Sequence, residues 1–251
     1  MNLEQKANTS SAPSRLRHAA PFECIVLAGG LGTRLRQIIP DIPKPLAPVA
    51  GKPFLDILLS SLVCKGCAGF VLSVGYLAKM IMNRYGKYFE GVPVRYALEE
   101  EPLGTGGGLR LALNACDTMM PIVVNGDTFT DVDISAFQAY CALTSQPALV
   151  GVWLDDASRY GHLRVADGKI VGFVEKGQPG PALISAGCYC LPRSALEAFP
   201  EGHAFSLEQD YFAHIAARSH LGLFVADGLF IDIGVPEDYA RAQIIFENMK
   251  S

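Results

Sequence analysis

Apolar and polar positions fall in blocks that switch between two periods. Short, largely apolar runs, Cys24 to Ala28, Phe70 to Val74 and Ile122 to Val124, have the length and composition of buried strands. Between them, Phe54 to Val63 carries apolar residues at helical spacing, opening after Pro53 and stopping near Gly66, and a second helical stretch covers about Leu77 to Phe89. Val92 to Leu98 resumes a strand that runs into Glu99-Glu100-Glu101, and Gly104 to Gly108 reads as a glycine-rich connection followed by a helix to about Asn114. The order β-loop-α, β-α, β-loop-α, β-Asp predicts a largely parallel sheet with helices on both faces.

Beyond Asn125-Gly126-Asp127 the pattern is more mixed. A helix is expected over about Ile134 to Leu143 and a strand over Ala148 to Leu154. Leu163 to Val165 and Ile170 to Val174 flank Ala166-Asp167-Gly168-Lys169, and Asp-Gly between alternating strands is a hairpin signal. Ile184 to Leu191 is another strand, and Ser206 with Gln209 three residues on forms a capping-box pattern opening a helix to about Ala217. Strands over Phe224 to Ile233, broken near Gly228, and a helix over Pro236 to Asn248 complete the chain. The fold class expected is α/β, a Rossmann-like, largely parallel mixed sheet. Ligands of such sheets bind beyond the carboxyl ends of the strands, and Arg34, the Gly104 loop and Asp127 all follow expected strand ends, so they can converge on one crevice.

Length and composition narrow this further. With 251 residues, half of them hydrophobic, residues 22–251 are expected to form one domain with a sizeable core. A net charge of −4, with Lys and Arg scattered, argues against nucleic acid or an anionic membrane as partner. No apolar run approaches the ~18 residues of a membrane span, and the N-terminal segment lacks the apolar centre of a secretory signal, so a cytoplasmic location is expected. Residues 1–21, rich in Ser and Pro and poor in large apolar side chains, are expected to be a disordered tail, with Arg15, Arg17 and His18 merely solvated. Seven cysteines are irregularly spaced, and Cys64-x-x-Cys67 lacks the second pair a structural zinc needs, so reduced thiols are expected. Cys188 and Cys190 are expected on opposite faces of one strand. Oligomeric state is not legible, and a homo-oligomer stays open.

The chemistry concentrates where the first strand ends. Gly29, Gly30 and Gly32 break the apolar run just before Thr33, Arg34 and Arg36. Glycines let the backbone turn several N–H groups toward an anion, and Arg34 and Lys44 add full positive charge. Neither the third glycine of the dinucleotide fingerprint nor a Gly-Lys-Ser/Thr is present, which points to another kind of nucleotide site.

Gly29-Gly30-x-Gly32-Thr33-Arg34-Leu35, with Pro43-Lys44-Pro45-Leu46 and Gly51-Lys52-Pro53, resembles the opening motif of the sugar-1-phosphate nucleotidylyltransferases. Leu103 to Gly107, Asn125-Gly126-Asp127, Val174-Glu175-Lys176 and Asp232 to Tyr239 follow in the family's order. Within that family the chain looks most like the D-glycero-α-D-manno-heptose 1-phosphate guanylyltransferases. The resemblance implies a GT-A-like nucleotidyltransferase fold with a nucleotide half, about 22–130, and a sugar half, about 131–251. It implies transfer of GMP from GTP to a sugar 1-phosphate for surface polysaccharide synthesis, with Mg2+ on Asp127 and Asp232. Arg34, Lys44 and Lys176 are then the catalytic cations. Ala28, Gly29, Gly30, Gly32, Thr33, Arg34, Glu99, Gly104, Thr105 and Gly106 would meet the nucleotide, and Asn125, Gly161, Glu175, Lys176 and Gly187 the sugar. Which of Glu99, Glu100 and Glu101 faces the base stays open, and Gly108 stands where an alanine is expected. Rival readings are uridylyl or thymidylyl transfer to a hexose 1-phosphate, and a silent nucleotide-sugar-binding regulator. Retention of Arg34, Lys44, Asp127, Lys176 and Asp232 argues against silence, because such charges are costly to cluster.

Overall fold

The computed structural model describes residues 21–30, 32, 35 and 39–249. The expected tail, apart from Pro21, lies outside the described residues. The first apolar run is β1 (Phe22–Leu27), whose side chains are mostly buried because helices cover both faces of its sheet. A 3-10 turn, Lys44–Leu46, leads into a small ribbon of β2 (Pro48–Val49) and β3 (Lys52–Pro53), and Pro53 caps α1 (Phe54–Cys64). β4 (Cys67–Val74) follows.

The next helix, α2 (Ala78–Tyr85), is shorter than its apolar spacing suggested. Gly86 takes φ 56° and ends it, and Tyr88–Phe89 becomes β5, antiparallel to the start of β6 (Val92–Leu98). The glycine-rich connection is corrected too: α3 runs Gly104–Asn114, so the glycines lie inside the helix. Their poor helix propensity is offset by contact. The Phe205 ring lies where a Cβ on Gly106 would stand, and the Gly106 N–H donates to the Phe205 carbonyl at 2.9 Å.

β7 (Ile122–Asn125) and β8 (Thr128–Thr130) precede α4 (Ile134–Thr144), whose cap Asp133 accepts the Ala136 N–H. β9 (Ala148–Leu154) leads to the hairpin of β10 (His162–Ala166) and β11 (Lys169–Val174), turned by Asp167 and Gly168 at φ 49° and 71° as the Asp-Gly signal predicts. After β12 (Ala182–Cys190), Ser206 accepts the Gln209 N–H, but the reciprocal bond to the Ser206 N–H comes from Asp210 rather than Gln209. The first turns of that helix, Leu207–Phe212, are π-wound before α5 (Ala213–Ala216). β13 (Leu221–Ala226), β14 (Phe230–Asp232) and α6 (Pro236–Asn248) close the chain.

Ten strands form one mixed sheet in the order β10-β11-β13-β9-β12-β7-β1-β4-β6-β5. β7, β1, β4 and β6 are mutually parallel, so their carboxyl ends share one edge. The second half is mostly antiparallel, and it curls until β10 meets β12 at His162 and Ile184. One core layer, with Phe54, Phe137 and Phe246, packs α1, α4 and α6 on one face; the other, with Leu109, Leu113 and Phe212, packs α3 and the π-wound helix on the opposite face. Cys188 and Cys190 share the first face, with Tyr189 on the other, correcting the expectation that they diverge: residues two apart in a strand point the same way. All seven cysteines are free. Among the described residues no helix is long and apolar enough to cross a membrane.

Candidate active site

A crevice of about 500 Å3 opens past the carboxyl ends of β1, β4, β6 and β7. Leu27 to Gly30 line it where the apolar run stops and small residues follow. Gly32 also lines it, at φ 58°, packed over the Lys44 side chain. Thr33 and Arg34 lie outside the described residues.

Lys44 is the first residue of the 3-10 turn, held between Pro43 and Pro45, so its backbone has little freedom to lose. Its side chain is 11% exposed, and its ammonium stands 2.5 Å from Asp127 Oδ2 and 3.7 Å from Asp232 Oδ1. These aspartates, more than a hundred residues apart, meet because β8 and β14 pair antiparallel with Asp232 opposite Thr128. The Ile233 N–H donates to the Asp127 carbonyl at 3.0 Å, and the Gly234 N–H to Asp232 Oδ1 at 2.6 Å. Burial, and next the charge of Asp127, push the Asp232 carboxyl above its ordinary range, while Lys44 pulls it back. Two crowded carboxylates around one cation are a hard-oxygen donor pair. They suit an ion such as magnesium, which takes one or two protein carboxylates and completes its shell with water and phosphate oxygens.

The acidic triplet resolves clearly. Glu100 and Glu101 are exposed, while Glu99 turns into the crevice. Glu99 Oε1 accepts the Ser73 hydroxyl at 3.0 Å and Oε2 the Leu103 N–H at 3.1 Å, which fixes the carboxylate plane. The turn inward depends on bare backbone: a Cβ on Gly29 would overlap Oε1, and one on Gly108 would lie 2.7 Å from it. Gly108 in place of the expected alanine therefore makes room for Glu99. Gly104 and Thr105 line the crevice at the start of α3, whereas Gly106 is buried under Phe205. Thr105 is itself held: its hydroxyl donates to Glu208 Oε2 and accepts the Leu207 N–H, both at 2.9 Å.

On the sugar side Asn125 lines the crevice and rests on Gly187, which at φ 67° leaves no room for a Cβ against the Asn125 amide. Glu175 and Lys176 are exposed just past β11, Gly161 is half-buried just before β10, and none of the three borders the crevice directly. Their loops are joined by a bond from the Gly177 N–H to the Ser158 carbonyl at 2.8 Å. Ser73 and Arg159 escaped the sequence reading, and Asp238 was quoted only within the closing motif, with no role of its own. Ser73 was the lone hydroxyl in an apolar strand, a usable signal, but Arg159 and Asp238 acquire their surroundings only through the fold.

A family model described as Nucleotidyl transferase matches residues 23–248. The chain is 34% identical over 223 residues to the D-glycero-alpha-D-manno-heptose 1-phosphate guanylyltransferase of Aneurinibacillus thermoaerophilus, covering 88% of this chain and 97% of that one. It is 38% identical over 222 residues to the protein of the same description from Campylobacter jejuni, covering 87% and 97%. The crystal structure of HddC from Yersinia pseudotuberculosis complexed with GMP-PN superposes with a TM-score of 0.81 at 38% identity, over 90% of this chain and 99% of that one.

Proposed function

The chain belongs to the nucleotidyl transferase family, and from that membership we propose that it transfers GMP from GTP to D-glycero-α-D-manno-heptose 1-phosphate, giving GDP-heptose and pyrophosphate. Relatives of matching length carry that description, and a solved relative holds a guanine nucleotide analogue. The observation that carries the choice of base is Glu99. Guanine presents N1–H and an exocyclic amine side by side, a donor pair that one carboxylate accepts, whereas uracil and thymine present a single N–H between two carbonyls. Glu99 stands beside the glycine-rich start of α3 with each oxygen already oriented by one protein donor. The wrong base would leave that charge unmatched, at a cost of ~1–3 kcal/mol.

In the transfer, a phosphate oxygen of the sugar phosphate attacks the α-phosphorus in line with departing pyrophosphate, and the protein's task is alignment and charge compensation. The backbone from Gly29 to Gly32 and the side chains of Arg34 and Lys44 receive the triphosphate, with Arg34 offering its planar fork to the leaving phosphates. Lys176 meets the sugar phosphate, Glu175 the sugar hydroxyls, and Asn125 the sugar from the crevice wall. Asp127 and Asp232 would hold a magnesium ion, which when bound compensates the charge that two polyanions bring together. Free thiols and a nucleoside triphosphate substrate support a cytoplasmic site of action, with the product consumed in surface polysaccharide synthesis.

The test is a grid of GTP, UTP, dTTP and CTP against heptose, mannose and glucose 1-phosphates, scored by pyrophosphate release. GTP with the heptose is expected to lead each other base by at least roughly tenfold. UTP or dTTP with a hexose phosphate running faster would overturn the substrate choice, and binding without turnover in any pair would favour a silent regulator.

A further inference from the structure

Asp238 is one of three buried polar or charged side chains among the described residues, and the transfer chemistry above does not use it. It lies in the first turn of α6 with its side chain 7% exposed. Its Oδ2 accepts from Arg159 Nη2 at 2.5 Å and from the Tyr160 hydroxyl at 3.3 Å. Arg241 approaches Oδ1 at 4.0 Å but also donates to the Phe230 carbonyl. Arg159 differs from Arg241 in where it leads. Its side chain is 46% exposed, and with one edge on Asp238 the guanidinium keeps other donors open.

That open edge belongs to the sugar side. The Tyr160 ring packs edge-on against Phe230 of β14, the strand that ends at Asp232, with centroids 5.8 Å apart. The Ser158 carbonyl holds the Gly177 N–H, so the Arg159 loop and the Lys176 loop are fastened together. Burial and then the Asp232 charge raise the Tyr160 hydroxyl's pKa, consistent with that closeness. A phosphate monoester arriving there brings about two negative charges next to Asp232. A single lysine compensates them incompletely, and an arginine fork matches phosphate geometry.

Resting on the transferase reading, we propose that Arg159 is a second phosphate-binding cation for the sugar 1-phosphate, beside Lys176, and that the buried carboxylate of Asp238 is the positioning residue that aims it. Burying Asp238 without a partner is costly, so the pair persists in the free protein and the cation is oriented before substrate arrives.

Steady-state kinetics with each substrate varied separates this from a purely structural clasp. Arg159→Ala is expected to raise KM for the heptose 1-phosphate roughly ten- to a hundredfold, the worth of a charged hydrogen bond, with KM for GTP moving less than about twofold. Asp238→Asn shifts the same KM in the same direction, and Arg159→Lys recovers part of the loss. Should Arg159→Ala unfold, Arg159→Gln, which keeps a donor for Asp238, carries the comparison. An unchanged sugar-phosphate KM, or equal rises for both substrates, overturns the proposal. Calorimetric binding of the heptose 1-phosphate to nucleotide-free protein tests the cation without catalysis. A wild type that binds in an Arg159-dependent way but transfers nothing sinks the transferase reading alone, and one that neither binds nor transfers sinks both.

Discussion

Replacing Lys44 by methionine removes the one described cation between Asp127 and Asp232 while keeping most of the side chain's volume. Lys44 is 11% exposed, Asp232 27% and Asp127 36%, so the cluster lies between a surface pair and a buried one. Exposed pairs are worth ~0–1 kcal/mol, and breaking a buried pair costs ~3–5 kcal/mol because a charge is left uncompensated. The intermediate burial, and two carboxylates left facing each other, set the expected loss for Lys44→Met at about 2 kcal/mol. Burial first, and the Asp127 charge second, already push the Asp232 carboxyl above its ordinary range. Lys44→Met combined with Asp127→Asn should therefore recover about half of that loss, since one of the repelling charges is gone. Urea denaturation at pH 7 in chelator, followed by fluorescence of the single tryptophan Trp153, gives both values. If the carboxylate pair accepts a divalent ion, adding magnesium narrows the gap between wild type and Lys44→Met. A single variant as stable as wild type in chelator, or a double variant weaker than the single, would refute the charge argument.

Asp127→Asn and Asp232→Asn are each expected to lower turnover by several orders of magnitude with the circular dichroism unchanged; wild-type rates in both would remove them from the mechanism. Gly108→Ala opposes two effects, a gain of ~1 kcal/mol in helix propensity against displacement of the Glu99 carboxylate 2.7 Å from the new methyl. Thermal melting should stay near wild type while the preference for GTP over UTP falls; a loss of stability with selectivity intact would show that the methyl displaces something other than Glu99. For the thiols, burial pushes Cys67 up to about 12 and Cys188 up to about 12, so alkylation of the native protein at pH 8 should stop at exposed Cys64. The sign follows from the charged form being the disfavoured and reactive one, so the buried thiols gain reactivity only as pH approaches their raised pKa. Rapid labelling of Cys67 or Cys188 at pH 8, read by mass spectrometry, contradicts it.

Local chemistry made much of the fold legible from the chain alone. Strands β1, β4 and β7 announce themselves as largely apolar runs, the β10–β11 turn as Asp-Gly, and α6 as a proline-led helix, because each depends on residues within one turn of one another. The glycine loop, Lys44 between its prolines, and Asp127 and Asp232 at strand ends were legible for the same reason, with the order of motifs adding what each lacks singly. Other features were decided only when distant segments met. Glu99, not its two acidic neighbours, faces the crevice because Ser73 on β4 and the bare backbones of Gly29 and Gly108 receive it. The α3 helix begins within its glycines because Phe205, about a hundred residues on, occupies the space their side chains would need. Lys44 stands between two aspartates because β8 pairs with β14, and Asp238 is buried because Arg159 comes to it from another loop. The physical division is one of range: periodicity and turn chemistry act between neighbours in sequence, whereas the direction and charge environment of a side chain are set by whatever the closed fold brings against it.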